Sequence, residues 1–301
     1  MNPVHIFQLP VSQVTMESAL GFVEQRVRSA SSPSYIVSAN PEKVYQVRSA
    51  PTVRAVFHGA GLVIPDGVGI VIAARLLYGI RLSRVPGADL MQAICAVAAS
   101  RNYRIFLFGA SEATNRKSVD VLRERHPGIA IVGARHGYMP EEGTDALIAE
   151  INEARADVLF VALGSPRQEL WIQKHVPRLN VKVIQGIGGT LDAIAGNVKR
   201  APRWMRAAGV EWFYRLLAQP SRAHRQLNLI RFGTDVLRLK LIGYDGPDER
   251  NQPSLRSVLA DLLDLPETWN LPAAGISVRI PEVDKQPLGS GVPSPESDGD
   301  S

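Results

Sequence analysis

Apolar β-branched runs alternate with segments of helical periodicity along most of the chain. The runs predict strands at 35–38, 61–64, 104–108, 130–132, 158–163 and 181–185. The segments between them predict helices at 15–29, 41–57, 67–78, 87–100, 112–124, 141–153 and 167–175. This alternation is typical of a mostly parallel sheet with helices on both faces, and continuously apolar strands fit burial on both sides. We therefore expect an α/β, Rossmann-like architecture.

Charge divides the chain into three regions. Residues 1–197 carry a net charge of +4 and contain the predicted α/β domain. Residues 198–243 carry +8 and predict a basic helical appendage that attracts phosphate-bearing partners such as anionic lipid, nucleic acid or a nucleotide. Residues 244–301 carry −7 and eight prolines, which predicts a largely disordered acidic tail with one short helix at 254–265.

Composition excludes several classes of protein. With 45% hydrophobic and 21% charged residues, the 301-residue chain is neither wholly disordered nor fibrous. The single cysteine, Cys95, excludes an intramolecular disulfide framework and lies in an apolar run that predicts a buried core position. No basic residue precedes Arg26 and no apolar run approaches the ~18 residues of a spanning helix. We expect a cytoplasmic protein that is free to touch a membrane surface.

Polar, glycine-rich segments follow the predicted strands. Ligands of such sheets bind beyond the carboxyl ends of the strands, so these segments form the candidate site. They lie at 39–42, 65–67, 109–111, 164–169 and 186–190. A rim of this composition suits a nucleotide.

Asp66 follows one strand and precedes Gly67. Two interpretations fit the local sequence. The carboxylate caps the next helix, or it serves as a general base at the mouth of the sheet.

The two glycine-rich turns are equally open to interpretation. Residues 164–169 are either ordinary turn chemistry or a ligand cradle in which Gln168 faces a phosphate, ribose or base. Residues 186–190 resemble a dinucleotide-binding fingerprint, but Leu191 replaces its third glycine, which is poor evidence for NAD.

No metal site is expected. The six histidines show no pair at helical ligand spacing, and the one Asp-x-Asp triplet, at 298–300, lies in the acidic tail. If the ligand carries a diphosphate, arginines would then have to neutralise its charge.

The basic appendage carries apolar residues at helical spacing between its arginines and lysines. These residues are Leu227, Ile230, Thr234, Leu237 and Leu241. The pattern predicts either a solvated basic helix packed on the body or a membrane-surface helix, divided into pieces by Pro220 and Gly233.

Eight segments, in order, resemble the WecG/TagA/CpsF family of bacterial glycosyltransferases, glycosyltransferase family 26. They are SANPEK at 38–43, PDGVG at 65–69, RVPGAD at 84–89, LFGA at 107–110, VALGSPRQE at 161–169, GIGGTLD at 186–192, AGNVKRAP at 195–202 and EWFYRL at 211–216. Each motif alone is weak, but the ordered set is specific. The resemblance covers residues 5 to 240 and leaves out the acidic tail.

The resemblance implies a metal-independent, inverting transferase of cell-surface polysaccharide synthesis. Such enzymes move a sugar from a UDP-sugar to a polyprenyl-diphosphate-linked sugar on the cytoplasmic face of the membrane. The resemblance makes Asp66 the catalytic base. The substrate-binding positions are Ser38, Asn40, Arg84 and Gln168, with the loop of Gly186, Gly188, Gly189 and Thr190. The appendage arginines that approach the diphosphate or the membrane are Arg215, Arg222 and Arg225.

Two other functions remain as alternatives, a nucleotide-binding oxidoreductase and a basic nucleic-acid-binding module. The incomplete glycine fingerprint disfavours the first, and the lack of a nucleic-acid-binding signature disfavours the second. We expect no nucleic acid partner and an anionic membrane surface as a partner. The sequence leaves open whether the donor sugar is N-acetylmannosamine, its uronic acid or a glucose-type sugar. It also leaves open the oligomeric state, and a homo-oligomer is one of the possibilities.

Overall fold

The computed structural model describes residues 3–198, 201–202, 205, 214 and 223–242. Its strands are β1 (Val4–Ile6), β2 (Leu9–Val11), β3 (Ser34–Ala39), β4 (Leu62–Pro65), β5 (Arg104–Gly109), β6 (Ala130–Arg135), β7 (Val158–Ala162) and β8 (Val183–Gly186). Its α-helices are α1 (Met16–Ser29), α2 (Pro41–Ser49), α3 (Pro51–Gly59), α4 (Val68–Tyr78), α5 (Gly87–Arg101), α6 (Glu112–Arg125), α7 (Thr144–Glu153), α8 (Arg167–His175), α9 (Thr190–Ile194) and α10 (Ala223–Ile242). Short 3-10 turns lie at Glu141–Gly143 and Val176–Arg178.

Strands β3 to β8 form one sheet in the order β4-β3-β8-β7-β5-β6. Every adjacent pair is parallel. The register pairs Ala39 with Pro65, so the loops that begin at Asn40 and Asp66 leave the sheet side by side. The sheet confirms the predicted α/β architecture and brings the polar segments to one edge.

Helices cover both faces of the sheet because successive strand residues point to opposite sides. Val37 and Val63 belong to a core shared with α2, α3, α4, α7, α8 and α10. Ile36 and Ile64 belong to a second core shared with α1, α5, α6 and α9. Cys95 is fully buried in this second core, as its apolar surroundings predict.

The helix expected over 41–57 is two helices. Ala50 ends α2 and begins α3 with extended dihedrals, φ −131° and ψ 106°. Pro51 causes the break, because its ring disfavours a helical conformation at the preceding residue and it has no N–H to donate. The prediction of one continuous helix is therefore wrong at this point.

Two short elements escape the periodicity argument. Strands β1 and β2 form an antiparallel hairpin whose turn residues, Phe7 and Gln8, have positive φ values of 48° and 73°. A two-residue turn with positive φ at both positions matches the twist of a hairpin, although neither residue signals it. Helix α9, only five residues long, follows the glycine loop after β8.

Helix α10 is continuous from Ala223 to Ile242, which corrects the expectation that Gly233 divides it. A glycine inside a helix costs only about 1 kcal/mol, and buried residues of α10 lie both before and after it. Phe232 and Val236 are buried against the body, with the Phe232 ring 5.7 Å from that of Phe7. The Tyr45 hydroxyl donates to Asp235 Oδ2 at 2.9 Å.

A different face of α10 carries apolar residues outward. We call Ile230, Thr234, Leu237 and Leu241 the outer stripe. Ile230, Leu237 and Leu241 are 67%, 51% and 67% exposed. Within the described part of the chain, no helix has the length and apolarity to cross a membrane.

The expected boundaries of the three regions remain predictions. The helix expected at 254–265 and the tail expected to be disordered lie outside the described residues.

Candidate active site

The loops after β3 and β4 are bound to each other at the carboxyl edge of the sheet. The backbone N–H groups of Asp66 and Gly67 both donate to the Ala39 carbonyl oxygen at 3.1 Å. A Cβ on Gly67 would lie 3.0 Å from Asn40 Cβ, so this close approach depends on glycine. These backbone contacts therefore fix Asp66 beside Asn40.

Asp66 is not the N-cap residue of helix α4. The N-cap residue is Gly67, which has no side chain with which to cap the helix. The first interpretation of Asp66, as a helix cap, is therefore wrong. The carboxylate belongs to the rim of the sheet, where it is half-buried.

Arg84 lies against the same loop. Its Nε donates to the Asp66 carbonyl oxygen at 2.8 Å. The backbone N–H of Val85 donates to the Pro65 carbonyl oxygen at 2.9 Å, which lays this segment along the end of β4. A guanidinium held beside the predicted base is suited to bind phosphate or a developing negative charge.

Ser38 and Asp66 face a gap that Gly87 leaves open. A Cβ on residue 87 would lie 2.7 Å from Ser38 Oγ and 3.5 Å from Asp66 Oδ2. We call this space the Gly87 gap. The Gly87 carbonyl is held by Gln185 Nε2, a fully buried donor on β8, at 2.9 Å. The gap is too small for a methyl group, and a hydroxyl and a carboxylate meet there beside a glycine whose backbone is held in place.

Asn40 has a structural task. Its side-chain oxygen accepts from the Lys43 backbone N–H at 3.0 Å and caps α2, whose first residue is Pro41. Asparagine is among the strongest N-cap residues, and proline suits the first helical position. The substrate contact of Asn40 stays a prediction.

Gln168 is buried and joins two loops. Its Oε1 accepts from the Gly188 backbone N–H at 2.8 Å, and its Nε2 donates to Glu169 Oε1 at 3.1 Å. Gly186 makes room for it, because a Cβ there would lie 2.9 Å from Gln168 Nε2. Gln168 therefore holds the loop after β8 in place.

The rest of that loop is shaped by its own backbone. Gly188 has φ +56°, a conformation that favours glycine. Gly189 is the N-cap of α9, and the Thr190 hydroxyl donates to the Ile187 carbonyl oxygen at 2.5 Å. The sequence assigns Gly186, Gly188, Gly189 and Thr190 to one site, and in the structure they run from the last residue of β8 to the first residue of α9.

A cavity of about 450 Å³ opens next to Thr190, between α5, α6 and α9. Gln92 and Arg125 contribute its polar wall, and Ala88, directly after Gly87, also lines it. Burial lowers the pKa of His126, and its Nε2 lies 3.4 Å from Gln92 Oε1. The volume of the cavity lies within the range of small-molecule sites.

The three appendage arginines are only partly placed. Arg215 and Arg222 lie outside the described residues, and Arg225 is described only as a position in the backbone of α10. A Cβ on Gly69, in the first turn of α4, would lie 3.4 Å from Leu229 Cδ1. Further along α10, Asp235 pairs with Arg48 at the end of α2, at 3.7 Å. The amino-terminal end of α10 is therefore the end nearest Asp66.

Sequence reasoning assigned no role to three residues that shape this edge. Lys43 and Glu169 form a buried ion pair, and Gly87 leaves the gap between Ser38 and Asp66. All three lie inside motifs of the sequence, at 38–43, 84–89 and 161–169. A charged residue in the first turn of a helix ordinarily predicts solvent exposure, so only the tertiary structure, which brings the first turns of α2 and α8 together, reveals the pair.

A family model agrees with the ordered motifs. The model described as "Glycosyl transferase WecG/TagA/CpsF family" matches residues 4–246. The chain belongs to the WecG/TagA/CpsF glycosyltransferase family. The resemblance seen over residues 5 to 240 is confirmed, and the oxidoreductase and nucleic-acid-binding alternatives give way to a glycosyltransferase.

Two relatives are similar over nearly their whole length. One from Bacillus spizizenii (strain W23) is 33% identical over 238 residues, which are 79% of this chain and 92% of the relative. One from Bacillus subtilis (strain 168) is 32% identical over 239 residues, with the same coverage. Each is named N-acetylglucosaminyldiphosphoundecaprenol N-acetyl-beta-D-mannosaminyltransferase.

Proposed function

We propose that this glycosyltransferase moves N-acetylmannosamine from its UDP derivative to a polyprenyl-diphosphate-linked N-acetylglucosamine. The acceptor and the transferred sugar come from the names of the two relatives. The observation that carries the proposal is the Gly87 gap, where Ser38 Oγ and Asp66 Oδ2 face one space beside the Arg84 guanidinium. A hydroxyl and a carboxylate that meet at this edge of the sheet are suited to bind an acceptor hydroxyl and take its proton.

The proposed reaction is a single displacement. Asp66 takes the proton of the acceptor hydroxyl as general base. The acceptor oxygen forms a bond to the anomeric carbon while the bond from that carbon to UDP breaks, so the configuration inverts. The leaving diphosphate keeps the electron pair and is stabilised by arginines.

Arg84 and the appendage arginines Arg222 and Arg225 are the proposed partners of that diphosphate. Arg84 is held at the Asp66 loop. Arg225 lies one helical turn before Leu229, toward the end of α10 nearest Asp66. Guanidinium groups bind diphosphate oxygens in pairs, and we therefore propose a reaction without an essential metal. The glycine loop, Thr190 and the adjoining cavity are the proposed holding surfaces for the donor.

We propose that the protein works at the cytoplasmic face of an anionic membrane, where a polyprenyl-linked acceptor resides. The outer stripe supports this, because its exposed apolar side chains are flanked by exposed Arg231 and Arg238. Apolar residues that enter the headgroup region beside basic residues are typical of membrane-surface helices.

The test is acceptor-dependent release of UDP in the presence of EDTA. The donors are UDP-linked N-acetylmannosamine, its uronic acid, glucose and N-acetylglucosamine, and the acceptor is a lipid-diphosphate-linked N-acetylglucosamine. We expect the first donor to react and Asp66→Asn to lower kcat by about 10²- to 10⁴-fold, the range of general-base catalysis. Asp120→Asn, the same change at an exposed position of α6, is the matched control and should retain full activity.

Each part of the proposal has its own contrary result. Full turnover by Asp66→Asn would contradict the base assignment. Turnover abolished by EDTA and restored by a divalent cation would contradict metal independence. A retained anomeric configuration in the product would contradict the single displacement.

A further inference from the structure

The ion pair of Lys43 and Glu169 is buried to an unusual degree. Their side chains are 5% and 1% exposed, and Lys43 Nζ lies 2.5 Å from Glu169 Oε1. Lys43 comes from the first turn of α2 and Glu169 from the first turn of α8. The pair therefore joins the loop after β3 to the loop after β7, and the reaction described above uses neither charge.

The carboxylate end of the pair leads to the glycine loop. Glu169 Oε1 also accepts from Gln168 Nε2 at 3.1 Å, and Gln168 Oε1 accepts from the Gly188 N–H at 2.8 Å. The amide of Gln168 thus has both ends occupied. Its orientation is fixed because one end requires an acceptor and the other a donor.

The ammonium end of the pair leads to the turn before α8. Lys43 Nζ also donates to Ser165 Oγ, and that hydroxyl donates to Gln46 Oε1 at 3.0 Å. One continuous network therefore joins α2, the helix that follows β3, to the loops that follow β7 and β8. These two loops are two of the five segments, 164–169 and 186–190, in which the sequence predicts the ligand site.

Stability alone does not account for such a pair. Two charges taken out of water cost more than their attraction returns unless every polar atom is paired. Glu169 Oε2 is buried and has no hydrogen-bond partner among the described residues. Apolar side chains of similar volume often serve stability as well or better at such positions.

We propose that the Lys43–Glu169 pair positions Gln168 and the Gly188 loop for binding of the nucleotide diphosphate of the donor. Lys43 and Glu169 are both positioning residues that act through Gln168. The inference rests on the proposed function in one respect, that the loop after β8 contacts a UDP-sugar.

The experiment combines hydrogen exchange at the Gly188 amide with UDP binding and steady-state kinetics. The variants are Glu169→Gln, Lys43→Met and the paired apolar change Lys43→Met/Glu169→Leu. Glu112→Gln, which breaks the exposed pair with Arg116 on α6, is the matched control. We expect at least tenfold weaker UDP binding, a donor KM raised by a similar factor and faster exchange at Gly188, with kcat within about threefold of wild type.

The paired apolar variant separates positioning from stability. It removes both charges together, so it should melt at or above the temperature of wild type and still bind UDP at least tenfold more weakly. If one of the single variants fails to fold, this variant carries the test. A paired variant that folds and binds UDP as wild type does would overturn the proposal.

A double-mutant cycle tests whether the pair acts through Gln168. Gln168→Ala and Glu169→Gln should each weaken UDP binding, and their combination should be no weaker than Gln168→Ala alone. Additive losses would overturn the proposal, as would unchanged exchange at Gly188. A wild type that binds UDP but transfers no sugar would contradict the proposed function alone, because exchange and UDP affinity still report on the pair.

Discussion

Adding one methyl group at Gly87 tests whether the space between Ser38 and Asp66 is where the reaction occurs. In Gly87→Ala the new Cβ would lie 2.7 Å from Ser38 Oγ, which is 0.7 Å short of the 3.4 Å at which ordinary contact begins. Gln185 holds the Gly87 carbonyl at 2.9 Å, so the backbone resists retreat and the Ser38 side chain must move, with the new methyl group in contact with Asp66 Oδ2 at 3.5 Å. Displacements approaching 1 Å cost about 10²-fold in rate.

We therefore expect kcat/KM to fall by about 10- to 100-fold, equivalent to about 1.4 to 2.7 kcal/mol of transition-state stabilisation. Gly87 is the first residue of α5, so alanine is tolerated by the helix and the free energy of unfolding should change by less than about 1 kcal/mol. Gly21→Ala in α1 is the matched control, since a Cβ there meets nothing within 4 Å. It should raise the free energy of unfolding by about 0.5 to 1 kcal/mol and leave activity unchanged.

The assay is acceptor-dependent UDP release by both variants, with chemical denaturation measured in parallel. Undiminished activity in a folded Gly87→Ala protein would refute the assignment of this gap as the reacting centre. Equal losses in Gly87→Ala and Gly21→Ala would show that helix changes, rather than crowding of Ser38 and Asp66, reduce the rate.

Three further predictions concern the outer stripe, acid stability and the single thiol. Replacing Leu237 and Leu241 with Gln should weaken binding to anionic vesicles with little change in melting temperature, because both side chains are already more than half exposed; unchanged vesicle binding would contradict a role for the stripe. Burial lowers the pKa of both His126 and His175 from the ordinary 6.5, so below pH 6.5 the unfolded chain binds more protons than the folded one. The free energy of unfolding should fall as the pH drops through 6.5. Chemical denaturation at pH 7.5 and pH 5.5 should show a smaller fall of this free energy in the His126→Gln/His175→Gln variant. Burial raises the pKa of the Cys95 thiol to about 12, so Ellman's reagent should label it only on unfolding, and rapid labelling of native protein would contradict its burial.

The alternation of apolar runs and helical segments determined the architecture. Of the eight strands in the described part of the chain, six were predicted because parallel strands buried on both faces must be continuously apolar. The ordered motifs also placed Asp66 and the glycine loop at one edge, since parallel strands bring their carboxyl ends together. Cys95 was assigned to the core from its apolar neighbours alone.

The tertiary structure decided matters that depend on distant partners. Periodicity could not show that Asp66 leaves the capping position to Gly67, because the hydrogen bonds of both N–H groups to the Ala39 carbonyl come from the neighbouring strand. Nor could periodicity show which face of α10 packs on the body, because the burial of Phe232 depends on its contact with the distant Phe7. Lys43 and Glu169 are 126 residues apart, and only the packing of two helices on one sheet turns two charges expected in solvent into a buried pair. Local sequence sets the conformation of each segment, whereas burial and charge pairing arise when the segments meet.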